Sequence, residues 1–240
     1  MEMNSDKNTP RFLGAAFLLV FVASLLSGSL QESAIGSGSI SEKLVSIADN
    51  LTLMRVSILV ELVTSIGIVV LASLLYIVLH KQDRIIALVA LGWWLAEAII
   101  LAVSKIGAFA LIPLSQEFVK AGTPDSSHFQ TLGDFFYNGF DRQGWTLHMV
   151  FFCLGGLLWY YLFFKSNYIP RVLAAWGIVS VFLVTLNTLA VVYDRDNGLI
   201  MIMLVPYLLF EGLIGPWLMV KGIRSDSEVG ADGSLRLDAI

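Results

Sequence analysis

At 240 residues, 57% hydrophobic and only 14% charged, the chain carries far less charge than the ~25% of a soluble domain. A mean hydropathy of +0.78 leaves a water-soluble fold nowhere to bury so much apolar surface, so lipid must be its solvent. The net charge of −4 and the lack of a basic tract argue against nucleic acid as a partner, and a single cysteine, Cys153, excludes an internal disulfide and dithiol redox chemistry.

A membrane-spanning helix needs about 20 mostly apolar residues. Six runs qualify in chain order: Phe12–Leu30, Val56–Leu79, Ile85–Leu114, Gly144–Phe164, Val172–Tyr193 and Leu199–Val220. They predict an all-α polytopic membrane protein, a bundle of six transmembrane helices. Residues 1–11 form a short cytoplasmic lead and 12–223 the membrane domain. Residues 224–240 are polar and rich in Gly, Ser and Asp, the composition of a disordered cytoplasmic tail. The first run has signal-peptide traits, with Lys7 and Arg11 before it and Ser27 and Ser29 mimicking a cleavage site. It is nonetheless long enough to span, and losing it would leave an odd number of crossings.

Two outer loops carry short amphipathic helices. Between the first two runs, Ser39-Ile40-Ser41-Glu42 reads as a capping box, followed by Ile40, Leu44, Ile47 and Leu51 at helical spacing. Between the third and fourth, Thr123-Pro124 reads as an N-cap with proline at the first helical position. Phe129, Leu132, Phe136 and Phe140 then form one apolar stripe, suited to the outer bilayer face or to capping the bundle.

Lys and Arg collect on the cytoplasmic side of membrane proteins. With the N-terminus inside, each inner segment holds a basic pair: Lys7 and Arg11, Lys81 and Arg84, Lys165 and Arg171, Lys221 and Arg224. The outer segments hold Glu32, Glu42 and Asp49, then Glu117, Asp125, Asp134 and Asp141, then Asp194 and Asp196. This pattern predicts a multi-pass protein of the cell inner (plasma) membrane with both termini cytoplasmic.

Ionisable groups in hydrocarbon cost about 2.5–3.5 kcal/mol each on insertion scales, so each is a functional candidate. They are Arg55, Glu61, Glu97, Lys105, His148 and Glu211, joined by the polar Asn187. At 1.5 Å per residue, Glu97 lies roughly 18 Å along the third run and Glu211 roughly 18 Å along the sixth, both near the midplane. The expected site is a polar pocket opening outward with these two carboxylates at its floor, serving ligand binding or a proton relay. Plainer roles stand beside it: Arg55 at the interface, Lys105 snorkelling outward along its stem, Glu61 in a structural salt bridge with either base. In the sixth run, Pro206, Gly212, Gly215 and Pro216 surround Glu211, consistent with a kink lining a cavity or with close helix packing.

Several chemistries lack their residues. His80 belongs to the inner side and His128 and His148 to the outer, so neither a three-histidine zinc site nor a bis-histidine haem is expected, and no cofactor is. There is no G-x-S-x-G elbow and no Walker loop.

The stretch Phe163-Phe164-Lys165-Ser166-Asn167-Tyr168-Ile169-Pro170-Arg171-Val172-Leu173 resembles the R-S-x-Y-[LI]-P-R-x-L-G signature of a bacterial membrane family, the domain of unknown function four-three-eight-six. Met54-Arg55 resembles that family's F-R motif, and Trp94-Leu95-Ala96-Glu97-Ala98 its R-x-x-E-A. Glu211 and Trp217-Leu218-Met219-Val220-Lys221-Gly222 resemble its closing E…W-L-x-x-K-G. Lys165 stands where the family usually has Arg, Ala174 where Gly is common, and Trp94 where Arg precedes the glutamate. The resemblance implies a six-helix inner-membrane fold, makes Arg55, Glu97 and Glu211 family features, and implies no activity.

The leading functional expectation is therefore non-enzymatic: a membrane protein whose partners are lipid and a small ligand or ion, with proton-coupled transport as one form. A lipid-acting hydrolase using His148 as base and Arg55 or Lys105 as anchor is the enzymatic alternative. A structural or accessory subunit is the third.

Overall fold

The computed structural model describes residues 8–123, 127–194 and 201–223. Within them the structure is helical and free of strands. The helices are α1 (Thr9–Ile35), α2 (Ile40–Asp49), α3 (Leu51–Leu79), α4 (Arg84–Lys120), α5 (Ser127–Asp134), α6 (Gln143–Ser166), α7 (Arg171–Tyr193) and α8 (Met201–Lys221), with a π-helical segment, Phe135–Arg142, joining α5 to α6. Six helices are long and apolar enough to cross a membrane; they contain the first five predicted runs and the described part of the sixth, which begins at Met201. Lys7, Pro124, Asp125, Arg195, Asp196, Leu199, Arg224 and the predicted tail lie outside the described residues.

The helix ends explain where the predicted boundaries moved. Helix α4 runs six residues beyond Leu114, through Pro113, because a membrane helix can absorb a proline by re-satisfying the freed backbone groups nearby. It closes in a Schellman turn: Gly122 N–H bonds the Val119 carbonyl at 2.9 Å, and Thr123 N–H bonds the Phe118 carbonyl at 3.1 Å. Gly122 supplies the left-handed φ of 79° this turn requires. Thr123 thus closes α4 instead of capping the next helix, whose described part begins at Ser127. The capping box of α2 forms as expected, with Ser39 N–H donating to the Glu42 carboxylate at 2.7 Å. The hydrogen bonds from Ser39 hold the Glu42 carboxyl below the ordinary carboxylate range.

The chain divides into two compact units. The first comprises residues 1–18, 69–95 and 150–240. Here α7 packs on α8 where Gly177 lets two rings approach: a Cβ at that position would stand 2.8 Å from Phe210 and 3.0 Å from Tyr160. The Tyr160 and Phe210 rings meet edge-on at 4.9 Å. Trp94 Nε1 donates to the Phe152 carbonyl at 3.1 Å, giving a fully buried indole its partner.

Asp83 ties the start of α4 to the end of α6. Its carboxylate accepts from Ile86 N–H at 3.1 Å, acting as an N-cap, and lies 3.5 Å from Lys165 Nζ. The Ile86 hydrogen bond first, then Lys165, hold the Asp83 carboxyl below its ordinary value. A depressed folded-state value stabilises the protein above the unfolded value, and the benefit is lost as pH falls through the folded one. Asp83→Asn keeps a capping side chain and loses the charge. The wild-type advantage over Asp83→Asn is therefore expected at neutral pH and should vanish on acidification below the carboxylate range. Thermal unfolding in detergent across that pH series is the check.

The second unit comprises residues 19–68 and 96–149. Its apolar core joins Ala34, Leu44, Ile47, Met54, Ile58, Ala108, Leu111 and Phe118. Leu44 and Ile47 are the buried stripe of α2, as its spacing predicts, and α2 packs against α5. Phe129 reaches the same core edge-on to Phe118, with ring centroids 5.5 Å apart.

Candidate functional site

The most unusual chemistry lies inside the second unit, and the π-helical segment creates it. In an α-helix the stripe Phe129, Leu132 and Phe136 would continue to Phe140. A π-turn bonds i to i+5, so the residue after Phe136 on that face becomes Asp141. Asp141 is accordingly 3% exposed, while Phe140 is half-buried. The sequence pattern groups Asp141 with the acids of the outer segment; in the structure its side chain is buried.

Two glycines let this segment press on α4. A Cβ at Gly107 would stand 2.7 Å from the Phe136 carbonyl oxygen and 3.0 Å from the Asp141 nitrogen. A Cβ at Gly144 would overlap Ser104 Cβ. With those positions bare, Lys105 on α4 and Asp141 meet at 2.9 Å, their side chains 3% and 5% exposed. Lys105 therefore does not snorkel outward; its ammonium ends on a carboxylate within the protein.

Helix α1 completes the arrangement. Gln31 Nε2 donates to Asp141 Oδ2 at 2.6 Å, and its Oε1 accepts from Lys105 Nζ at 3.1 Å. One amide thus bridges both members of the ion pair. One turn earlier on α1, the Ser27 hydroxyl sits in a short hydrogen bond with Glu61 Oε2 and 3.3 Å from the Ser57 carbonyl of α3. Glu61 is 6% exposed, and the charges of Lys105 and Asp141 both act on it. Its hydrogen bond is to Ser27, and its carboxylate forms no ion pair with Arg55 or Lys105.

Each of the other predicted residues belongs to one unit. Glu97 and His148 are buried in the second unit; Glu97 lies eight residues before Lys105 on α4, about 12 Å along the axis. The His148 ring is edge-on to Trp145 at 5.4 Å, and its Nδ1 is buried without a hydrogen bond of good geometry. Arg55 is exposed on α3. Asn187 and Glu211 belong to the first unit. Glu211 is half-buried and bonded to Tyr207 one turn earlier on α8, and the Asn187 Oδ1 is buried without a hydrogen-bond partner among the described residues. Three members, Ser27, Gln31 and Asp141, escape sequence reasoning. The four-residue spacing of Ser27 and Gln31, one polar face on an otherwise apolar helix, is the signal that identifies two of them.

A family model described as a domain of unknown function, DUF4386, matches residues 12–222. The chain belongs to this family. Membership covers every residue of the cluster, from Ser27 to Asp141, and confirms the resemblance read from the Lys165–Leu173 stretch. The DUF4386 description assigns no chemistry. No curated protein and no solved structure matches the chain.

Proposed function

We propose that this DUF4386 protein carries a small monovalent cation across the membrane in exchange for a proton, using the buried cluster of the second unit. The observation that carries the reading is a charge imbalance. Lys105 and Asp141 neutralise one another at 2.9 Å, and Glu61 is a further buried carboxyl with no basic group bonded to it among the described residues. An uncompensated carboxylate in a low-dielectric interior is too costly to persist, so it takes a proton or a cation. Oxygen ligands and net negative character select small hard cations over anions. The basic pairs in the predicted inner segments support an inner-membrane setting with both termini cytoplasmic, and the surrounding partner is lipid.

The test uses purified protein in liposomes with a trapped pH dye. Imposed sodium and potassium gradients should each be compared with empty vesicles. Proton movement that needs the protein and one of these gradients supports exchange; none with either gradient overturns it.

A second reading has its own observation. Gln31 satisfies both Lys105 and Asp141, which is how a purely structural lock between α1, α4 and the π-helical segment would be built. The two readings part at Glu61, which the lock does not need.

A further inference from the structure

We infer that Glu61 holds an exchangeable proton and that Ser27 reads its presence, turning one hydroxyl hydrogen between the Glu61 carboxylate and the Ser57 carbonyl. This rests on the imbalance that underlies the proposed exchange, but it concerns the proton alone and has its own readout.

The geometry is a matter of counting hydrogens. The Ser27 oxygen lies within hydrogen-bond distance of two acceptors, Glu61 Oε2 and the Ser57 carbonyl at 3.3 Å. A hydroxyl carries one hydrogen and can also accept. With Glu61 neutral, the carboxyl O–H donates to the Ser27 oxygen and the Ser27 O–H donates to the Ser57 carbonyl. Every hydrogen then has an acceptor. When the proton passes to water, giving a carboxylate and hydronium, the Ser27 O–H swings to the carboxylate and leaves Ser57. The serine therefore bonds both forms of the glutamate, the condition for a buried group to exchange a proton without stranding a donor.

The charged groups around Glu61 are few. Lys105 of α4 and Asp141 of the π-helical segment both act on it, and they are bonded to each other; α1 presents only the neutral Ser27 and Gln31. Arg55, on Glu61's own helix, is exposed. His148 of α6, on which Lys105 also acts, and Glu97 of α4 are further buried titratable side chains of the same unit. Protonation of Glu61 thus changes the charge beside the Lys105–Asp141 pair, which acts on it.

Infrared spectroscopy reads this proton directly. Wild-type protein in liposomes, followed over a pH series, should show a protonated-carboxyl stretching band that disappears as pH rises. Glu61→Gln, which keeps side-chain size, should lack the band. Ser27→Ala should keep it at a higher frequency, because the carboxyl loses its acceptor. Glu61→Asp should keep a titrating band at an altered frequency, which guards against misfolding as the cause of loss in Glu61→Gln. A titrating band unchanged in Glu61→Gln overturns the assignment, as does absence of any titrating band in the wild type. A band at the same frequency in Ser27→Ala overturns the role of the serine. Absence of cation-driven flux with the band intact sinks the exchange reading and leaves this inference standing.

Discussion

Lys105→Met is expected to destabilise the protein by about 3–5 kcal/mol, the cost of breaking a buried ion pair from one side. The substitution removes the ammonium 2.9 Å from Asp141 and leaves that carboxylate, 5% exposed, with Gln31 as its remaining partner. Asp141 must then either stay charged in an apolar interior or take up a proton, and both outcomes cost stability. Replacing both partners, as Lys105→Met with Asp141→Leu, removes the stranded charge and should recover most of the loss. The four proteins form a double-mutant cycle, read by unfolding in detergent. A single Lys105→Met change within about 0.5 kcal/mol of wild type would mean the pair contributes no more than an exposed one.

Gly107→Ala is expected to cost about 1–3 kcal/mol through overpacking. The new methyl would meet the Phe136 carbonyl oxygen and the Asp141 nitrogen, both backbone atoms that cannot swing aside as a flexible side chain would. The π-helical segment would have to lift from α4 and carry Asp141 from Lys105. Gly107→Ala and Lys105→Met should therefore be strongly non-additive, since each disrupts the same contact. Gly92→Ala on the same helix is the control. A Cβ there meets nothing within 4 Å, so the change should be neutral or mildly stabilising. Equal losses from the two glycine substitutions would remove the special role of Gly107.

The sequence makes the membrane fold legible because its strongest signal is hydropathy over long windows. Each of the six runs corresponds to one of six long helices over its described residues, and Leu44 and Ile47 are buried where the spacing of α2 expects. The site is legible only in part. Glu61, Glu97, Lys105 and His148 announce themselves by their cost in lipid, and they are buried in the second unit. Asp141 cannot be found that way, because a stripe projected at α-helical spacing arrives at Phe140. The i to i+5 bonding that brings in Asp141 follows from contacts with α4 across Gly107, more than thirty positions away, and no local pattern encodes it. Ser27 and Gln31 are missed for a different reason: small neutral polar groups cost little in a helix and raise no alarm until their partners are seen. Arg55, marked by the same cost in lipid, is exposed near the start of its helix.

The central question is whether the carboxyl that couples to the cation is the one in the second unit. Sodium- or potassium-driven proton movement should be measured in the same liposome preparation for wild type, Glu61→Gln and Glu211→Gln. Flux should be abolished in Glu61→Gln and retained in Glu211→Gln, whose carboxyl is bonded to Tyr207 within the first unit. Wild-type flux in Glu61→Gln, with or without loss in Glu211→Gln, would contradict the assignment of function to the buried cluster of Ser27, Gln31, Glu61, Lys105 and Asp141.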